Sequence, residues 1–111
     1  MVAEELARVH GTPLLVADEG HLRERARLFV SLFPHVLYAV KAFTSHAAIR
    51  LALEEGLDLL ASTDGELEAC LRAGAPPDRI VLHGNNKSDA ELALAVGVGV
   101  RLVNVDNAGE L

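Results

Sequence analysis

A lysine stands inside an apolar run at "LYAVKAFTS", residues 37–45. Lysine is almost never fully buried without a partner, so the Lys41 amine either reaches water along a packed stem or is kept in place to react. An amine in enclosed apolar surroundings loses part of its charge and can attack a carbonyl. Ala39, which shares its face if the run is a strand, leaves space for a flat cofactor. The other candidate groups are weaker. His10, His21 and His35 have no spacing that suggests a metal site, and His46 follows Ser45 into an exposed first helical turn. Cys70, between Leu67 and Leu71 in "LEACLRAG", reads as helix core. As the single cysteine it can form neither an intrachain disulfide nor a cysteine metal cluster.

The elements that must position Lys41 are legible as a repeat. Four short apolar runs read as strands: 36–43, 57–62, 79–84 and 100–106, their starts roughly 22 residues apart. Between them Ile49, Ala52 and Leu53, then Leu67, Cys70 and Leu71, then Leu92, Ala95 and Val96 step at helical spacing. Ser45, Thr63 or Asp64, and Ser88 stand at N-cap positions. Gly56, Gly74 and Gly97 stand where left-handed C-terminal residues belong. Upstream, "TPLLVAD" (12–18) reads as a further strand, and Asp18 caps an amphipathic helix with Leu22, Ala26, Phe29 and Phe33 on one face. Asn85, Asn86 and Lys87 read as a turn between the third strand and its helix.

Strands alternating with helices imply parallel βαβ units, and runs apolar at nearly every position imply a sheet covered on both faces. Two architectures fit: an open doubly wound sheet, or an arc of a (β/α)8 barrel. No G-x-G-x-x-G follows a strand, which weakens the dinucleotide-binding version. In either architecture Lys41 falls near the C-terminal end of its strand, where such folds mount ligands and catalytic side chains. The 111 residues, half of them apolar, suit one small core. A net charge of −6 without a basic stretch argues against a nucleic-acid partner. No long uncharged apolar run or secretory signal is present, so no membrane partner is expected and a cytoplasmic location is the default. The ending "VNVDNAGEL" echoes "STDGEL" after the second strand, so the chain reads as stopping in the first turn of another repeat.

"YAVKAF", "IVLHGNNKSDAEL" and "VNVDNAGEL" together resemble the N-terminal part of diaminopimelate decarboxylases, pyridoxal-phosphate enzymes of the alanine-racemase-like barrel class. The resemblance runs from about "GTPLLVAD" to the last residue. It implies an α/β fold in which residues 35–111 form the first half of a (β/α)8 barrel. Residues 1–34 would supply an N-terminal strand and helix, and the rest of the barrel and a β-rich domain would be absent. It implies Lys41 as the Schiff-base lysine for pyridoxal phosphate, and an amino-acid substrate, meso-diaminopimelate, converted to lysine and CO2. A homodimer of the full-length protein is implied too, as is inactivity of this stretch alone. His83 would end the third strand at the same mouth and hydrogen-bond cofactor or substrate. The family usually presents an aspartate where an ungapped count reaches Leu60. Asp58, two positions earlier on the same face, either replaces it as a cofactor contact or leaves the carboxylate missing. Another basic amino-acid decarboxylase or racemase of this class, and a self-associating half-barrel without catalysis, are the alternatives.

Overall fold

The computed structural model describes residues 2–111. Two helices, α1 (Ala3–His10) and α2 (Glu19–Leu32), precede the repeat. Then follow β1 (Leu37–Ala39), a 3-10 turn (Val40–Ala42), α3 (His46–Glu54), β2 (Asp58–Ala61), α4 (Asp64–Arg72), β3 (Ile80–Leu82), α5 (Asp89–Val98) and β4 (Leu102–Val103). The four strands pair in parallel in the order β1-β2-β3-β4. Sequential order without reversal is the barrel pattern. A doubly wound sheet changes direction at a switch point, so of the two architectures the sheet forms the barrel arc.

Alternation along each strand separates two faces. Leu59 and Ala61 of β2, with Ile80 and Leu82 of β3, pack with Ile49 and Ala52 of α3 and with Leu67 and Cys70 of α4 in the core. The opposite, inward face carries a register row of Ala39, Leu60, Val81 and Leu102. Cys70 is fully buried, as its helical spacing implied.

The caps follow the sequence closely. Asp18, Ser45, Thr63 and Ser88 accept from the amides of His21, Ala48, Glu66 and Glu91, satisfying donors that a first turn leaves unpaired. Thr63 rather than Asp64 is the cap of α4. Gly56 and Gly74 have positive φ, as expected for residues that end helices. Gly97 differs: α5 runs through it to Val98, and Gly99 takes the left-handed conformation. The two added residues bring Val98 against the core. Val96, expected on the buried face, is 75% exposed. The run "ALAVGVGV" is apolar all round, so spacing alone could not choose its face.

Two N-terminal expectations are corrected. Residues 12–18 are not a strand. They have no pairing partner in the sheet, and Leu15 is fully exposed. A strand exists only through a neighbour's ladder, which apolar residues cannot supply by themselves. On α2 only Ala26 is buried. Phe29 and Phe33 stack on each other at 6.4 Å and remain partly exposed. An apolar groove of about 500 Å³ lies there, along β1's unpaired edge, lined by Leu22, Phe29, Leu37 and Tyr38 among others.

Ion pairs fasten α2 to the end of α3. Arg23 donates to Glu54 and Glu55 (2.7 and 2.8 Å), and Arg27 donates to Glu55 (2.6 Å). Bonds from Arg27 and then Arg23 hold the Glu55 carboxyl down at about 2 against its usual 4.5. A depressed carboxyl stabilises the fold above its unfolded pKa, and that contribution is lost as pH falls through the folded value. Amide exchange across Glu19–Leu32, measured relative to β2 and β3, is therefore expected to quicken as pH is lowered from 4.5 to about 2. A ratio that stays flat would contradict this docking.

Candidate active site

Lys41 does not lie within a strand. β1 ends at Ala39, and the chain turns into a 3-10 segment that carries Lys41 just past the strand's C-terminal end, where it is exposed. Val40 inserts fully into the core beside it. Two side chains brace the turn: Tyr38 donates its hydroxyl to the Phe43 carbonyl at 3.0 Å, and Thr44 donates to the Val40 carbonyl at 2.9 Å. Both lie in "YAVKAFT", but a strand reading of this stretch conceals a turn that needs anchoring.

The sheet gathers its C-terminal strand ends around a cleft of about 430 Å³. Lys41 lines it with Ser62 and Thr63 after β2, His83 and the Gly84–Asn86 loop after β3, and Asp106 after β4. His83 continues the β3 ladder, its amide donating to the Ala61 carbonyl at 2.8 Å. Its Nδ1 lies 3.2 Å from the Asn104 amide nitrogen. An amide nitrogen can only donate, so in this pairing Nδ1 accepts and Nε2 is the ring nitrogen left to donate. The cleft thus holds an amine after β1, two hydroxyls after β2 and an imidazole after β3.

Asp58 is at the other rim. It opens β2, opposite Leu37, and accepts from Arg79 Nε at 2.9 Å and from Arg101 Nη1 at 2.7 Å. Arg79 also donates to the Leu57 carbonyl at 2.8 Å. The three residues stand one repeat apart, each at or just before the start of its strand, so the fold stacks them at the N-terminal edge. That recurrence was the signal in the sequence, and it marks stability rather than chemistry. The expectation that Asp58 contacts a cofactor is corrected: its carboxylate is already taken by two guanidinium groups. Leu60 occupies the inward row between Ala39 and Val81, so at that position the row is apolar.

The family described as pyridoxal-dependent decarboxylase, pyridoxal binding domain, matches residues 19–111. The chain belongs to this family. A diaminopimelate decarboxylase of Bacillus methanolicus is 48% identical over 113 residues, covering 96% of this chain and 26% of that protein. A solved protein from Aquifex aeolicus superposes with a TM-score of 0.90 at 36% identity, over 96% of this chain and 27% of that one. A lysine/ornithine decarboxylase from Vibrio vulnificus, solved with putrescine, gives a TM-score of 0.88 at 30% identity, over 96% and 30%. The chain therefore spans about a quarter of the curated relatives it matches.

For a pyridoxal-binding domain the residues present fit one end of the cofactor. Lys41 offers an amine at the rim where a carbonyl can reach it, whereas the other charged residues lining the cleft, Glu91 and Asp106, are acidic and unsuited to phosphate. Lys87 lies in the expected turn between β3 and α5, where it is a buried cation paired with Glu110 at 2.7 Å. Asp58→Asn is expected to lower stability by about 1–3 kcal/mol, the cost of weakening a partly buried charged hydrogen-bond set. It should leave pyridoxal phosphate uptake unchanged. A urea midpoint shift without loss of cofactor binding checks both halves.

Proposed function

We propose that this chain is the Lys41-bearing part of a pyridoxal-phosphate-dependent decarboxylase that removes a carboxyl group from meso-diaminopimelate, releasing CO2 and lysine. What carries the reading is the meeting of the Lys41 amine and His83 in one cleft at the C-terminal rim of a parallel sheet, in a chain of the pyridoxal-binding family.

When bound, the cofactor supplies an electron sink for the pair left behind as the carboxyl group departs. Lys41 Nζ is the amine that carries the cofactor, and it moves a proton at the reacting carbon. His83 donates from Nε2 to cofactor or substrate, its ring held by Asn104. Tyr38 and Thr44 keep the Lys41 turn in place, because a reacting group must be held within fractions of an ångström to be effective. Residues 1–34 form the leading unit and 35–111 the partial barrel. The remaining strands, a β-rich domain, the phosphate cradle and most substrate contacts belong to the full-length protein, which acts as a cytoplasmic homodimer.

A second reading keeps the chemistry and changes the substrate. The Vibrio vulnificus relative acts on lysine and ornithine and shares the fold of this region, so another basic amino acid is the competing substrate. The full-length protein, loaded with pyridoxal phosphate and reduced with borohydride, should carry the added mass on the peptide containing Lys41. CO2 release should be fastest from meso-diaminopimelate. Faster release from ornithine or arginine would select the second reading, and no adduct at Lys41 would remove both.

A further inference from the structure

Lys87 is an unusual residue for a loop. Its side chain is 1% exposed and that of Glu110 is 5% exposed, with Nζ 2.7 Å from Glu110 Oε2 and 2.6 Å from the Gly84 carbonyl oxygen. The same Glu110 oxygen accepts from the Asp106 amide at 3.1 Å, and Glu110 Oε1 accepts from Asn107 Nδ2 at 3.3 Å. One ammonium group therefore ties the loop after β3 to the first turn after β4. Gly84 and Asp106, the backbone groups at the two ends of this tie, both line the cleft that holds Lys41 and His83.

Neighbouring contacts have the same direction. A β-carbon at Gly84 would lie 3.3 Å from the Ser62 carbonyl oxygen, so the loop rests closely on the strand end before it. Glu91 accepts from both Ser88 and the Asp64 amide, joining the start of α5 to the start of α4. Glu66 and Glu110 repeat one device, each accepting from the amide four residues earlier, Ser62 and Asp106. Only at Glu110 is the carboxylate also paired with a buried lysine. Two charges are costly to take out of water unless they are paired and fully bonded. At α4 the Glu66 carboxylate caps without any lysine partner, so capping does not account for a buried lysine.

The geometry points to Lys87 and Glu110 as a positioning pair that locks the loops after β3 and β4 together and so sets where His83 and Asp106 stand relative to Lys41. Neither residue touches the reacting atoms. The assignment rests on the Lys41 reading for its chemistry, while the locking itself belongs to this chain.

The test uses the full-length protein with Lys87→Met, Glu110→Gln and the double variant, at temperatures where each is folded by far-UV circular dichroism. Hydrogen exchange at Asp106 and across residues 84–87 is expected to rise about tenfold or more in Lys87→Met, with the amides of β2 and β3 unchanged. Affinity for pyridoxal phosphate should weaken by about tenfold, the lower end of the effect of removing a residue that orients a site's contacts. The double variant should recover part of the loss, because it no longer leaves a carboxylate buried alone. Exchange that rises equally everywhere, or local loosening with wild-type affinity, overturns the positioning role. Wild-type protein that takes up no cofactor at Lys41 overturns the underlying reading instead, and the exchange result then stands by itself.

Discussion

Lys41→Ala in the full-length protein is expected to lower kcat for CO2 release by at least about a thousandfold, the scale typical of losing a covalent catalytic group. The loss should be chemical rather than structural. Lys41 is exposed at the strand end and takes no part in the core cluster, whereas its neighbour Val40 is fully buried. Urea unfolding should therefore shift by no more than about 0.5 kcal/mol, as for surface substitutions generally. Lys41→Arg keeps the charge and loses the nucleophile, so it should be as inactive as the alanine variant. Borohydride reduction should add no mass at position 41 in either. Activity within tenfold of wild type in either variant would exclude the amine from the reaction.

The second large effect is on stability. Leu59 is fully buried, in register between Tyr38 and Ile80. Leu59→Ala removes apolar surface and leaves a cavity between sheet and helices, and a loss of about 2–5 kcal/mol is expected. Val96→Ala, at a residue 75% exposed on α5, should stay within about 0.5 kcal/mol. Denaturant titration of both variants checks the two faces together. A Leu59 effect no larger than that of Val96 would mean that β2 does not form the centre of the core.

The shared rim of Lys41 and His83 was legible in the sequence because an α/β repeat directs strand ends to one edge, and both residues sit at strand ends in the sequence. Asp58 misled for a related reason. Alternation along a strand gives the face a side chain takes, but the rim it belongs to depends on where the strand starts and on what stands at the start of its neighbours. Arg79 and Arg101 reach Asp58 only once β2, β3 and β4 lie in register. Lys87 and Glu110 are separated by the whole of α5, and no local pattern distinguishes a buried lysine from a solvated one in a polar turn.

The sequence alone determined what depends on neighbours along the chain. Hydroxyl and carboxylate caps, helix-ending glycines at 56 and 74, and a strand-helix period all express local backbone chemistry, and they were enough to indicate a parallel sheet with Lys41 near its C-terminal rim. Tertiary structure decided what depends on distant partners. It set the sequential strand order that makes the sheet a barrel arc, the 3-10 turn that lifts Lys41 past β1, the unpaired fate of residues 12–18, and the buried Lys87–Glu110 pair. The 3-10 turn has local braces in Tyr38 and Thr44 but needs Val40 to be buried; in the others burial or pairing depends wholly on residues far away in sequence, so the free energy that selects the conformation does not exist until the elements have packed.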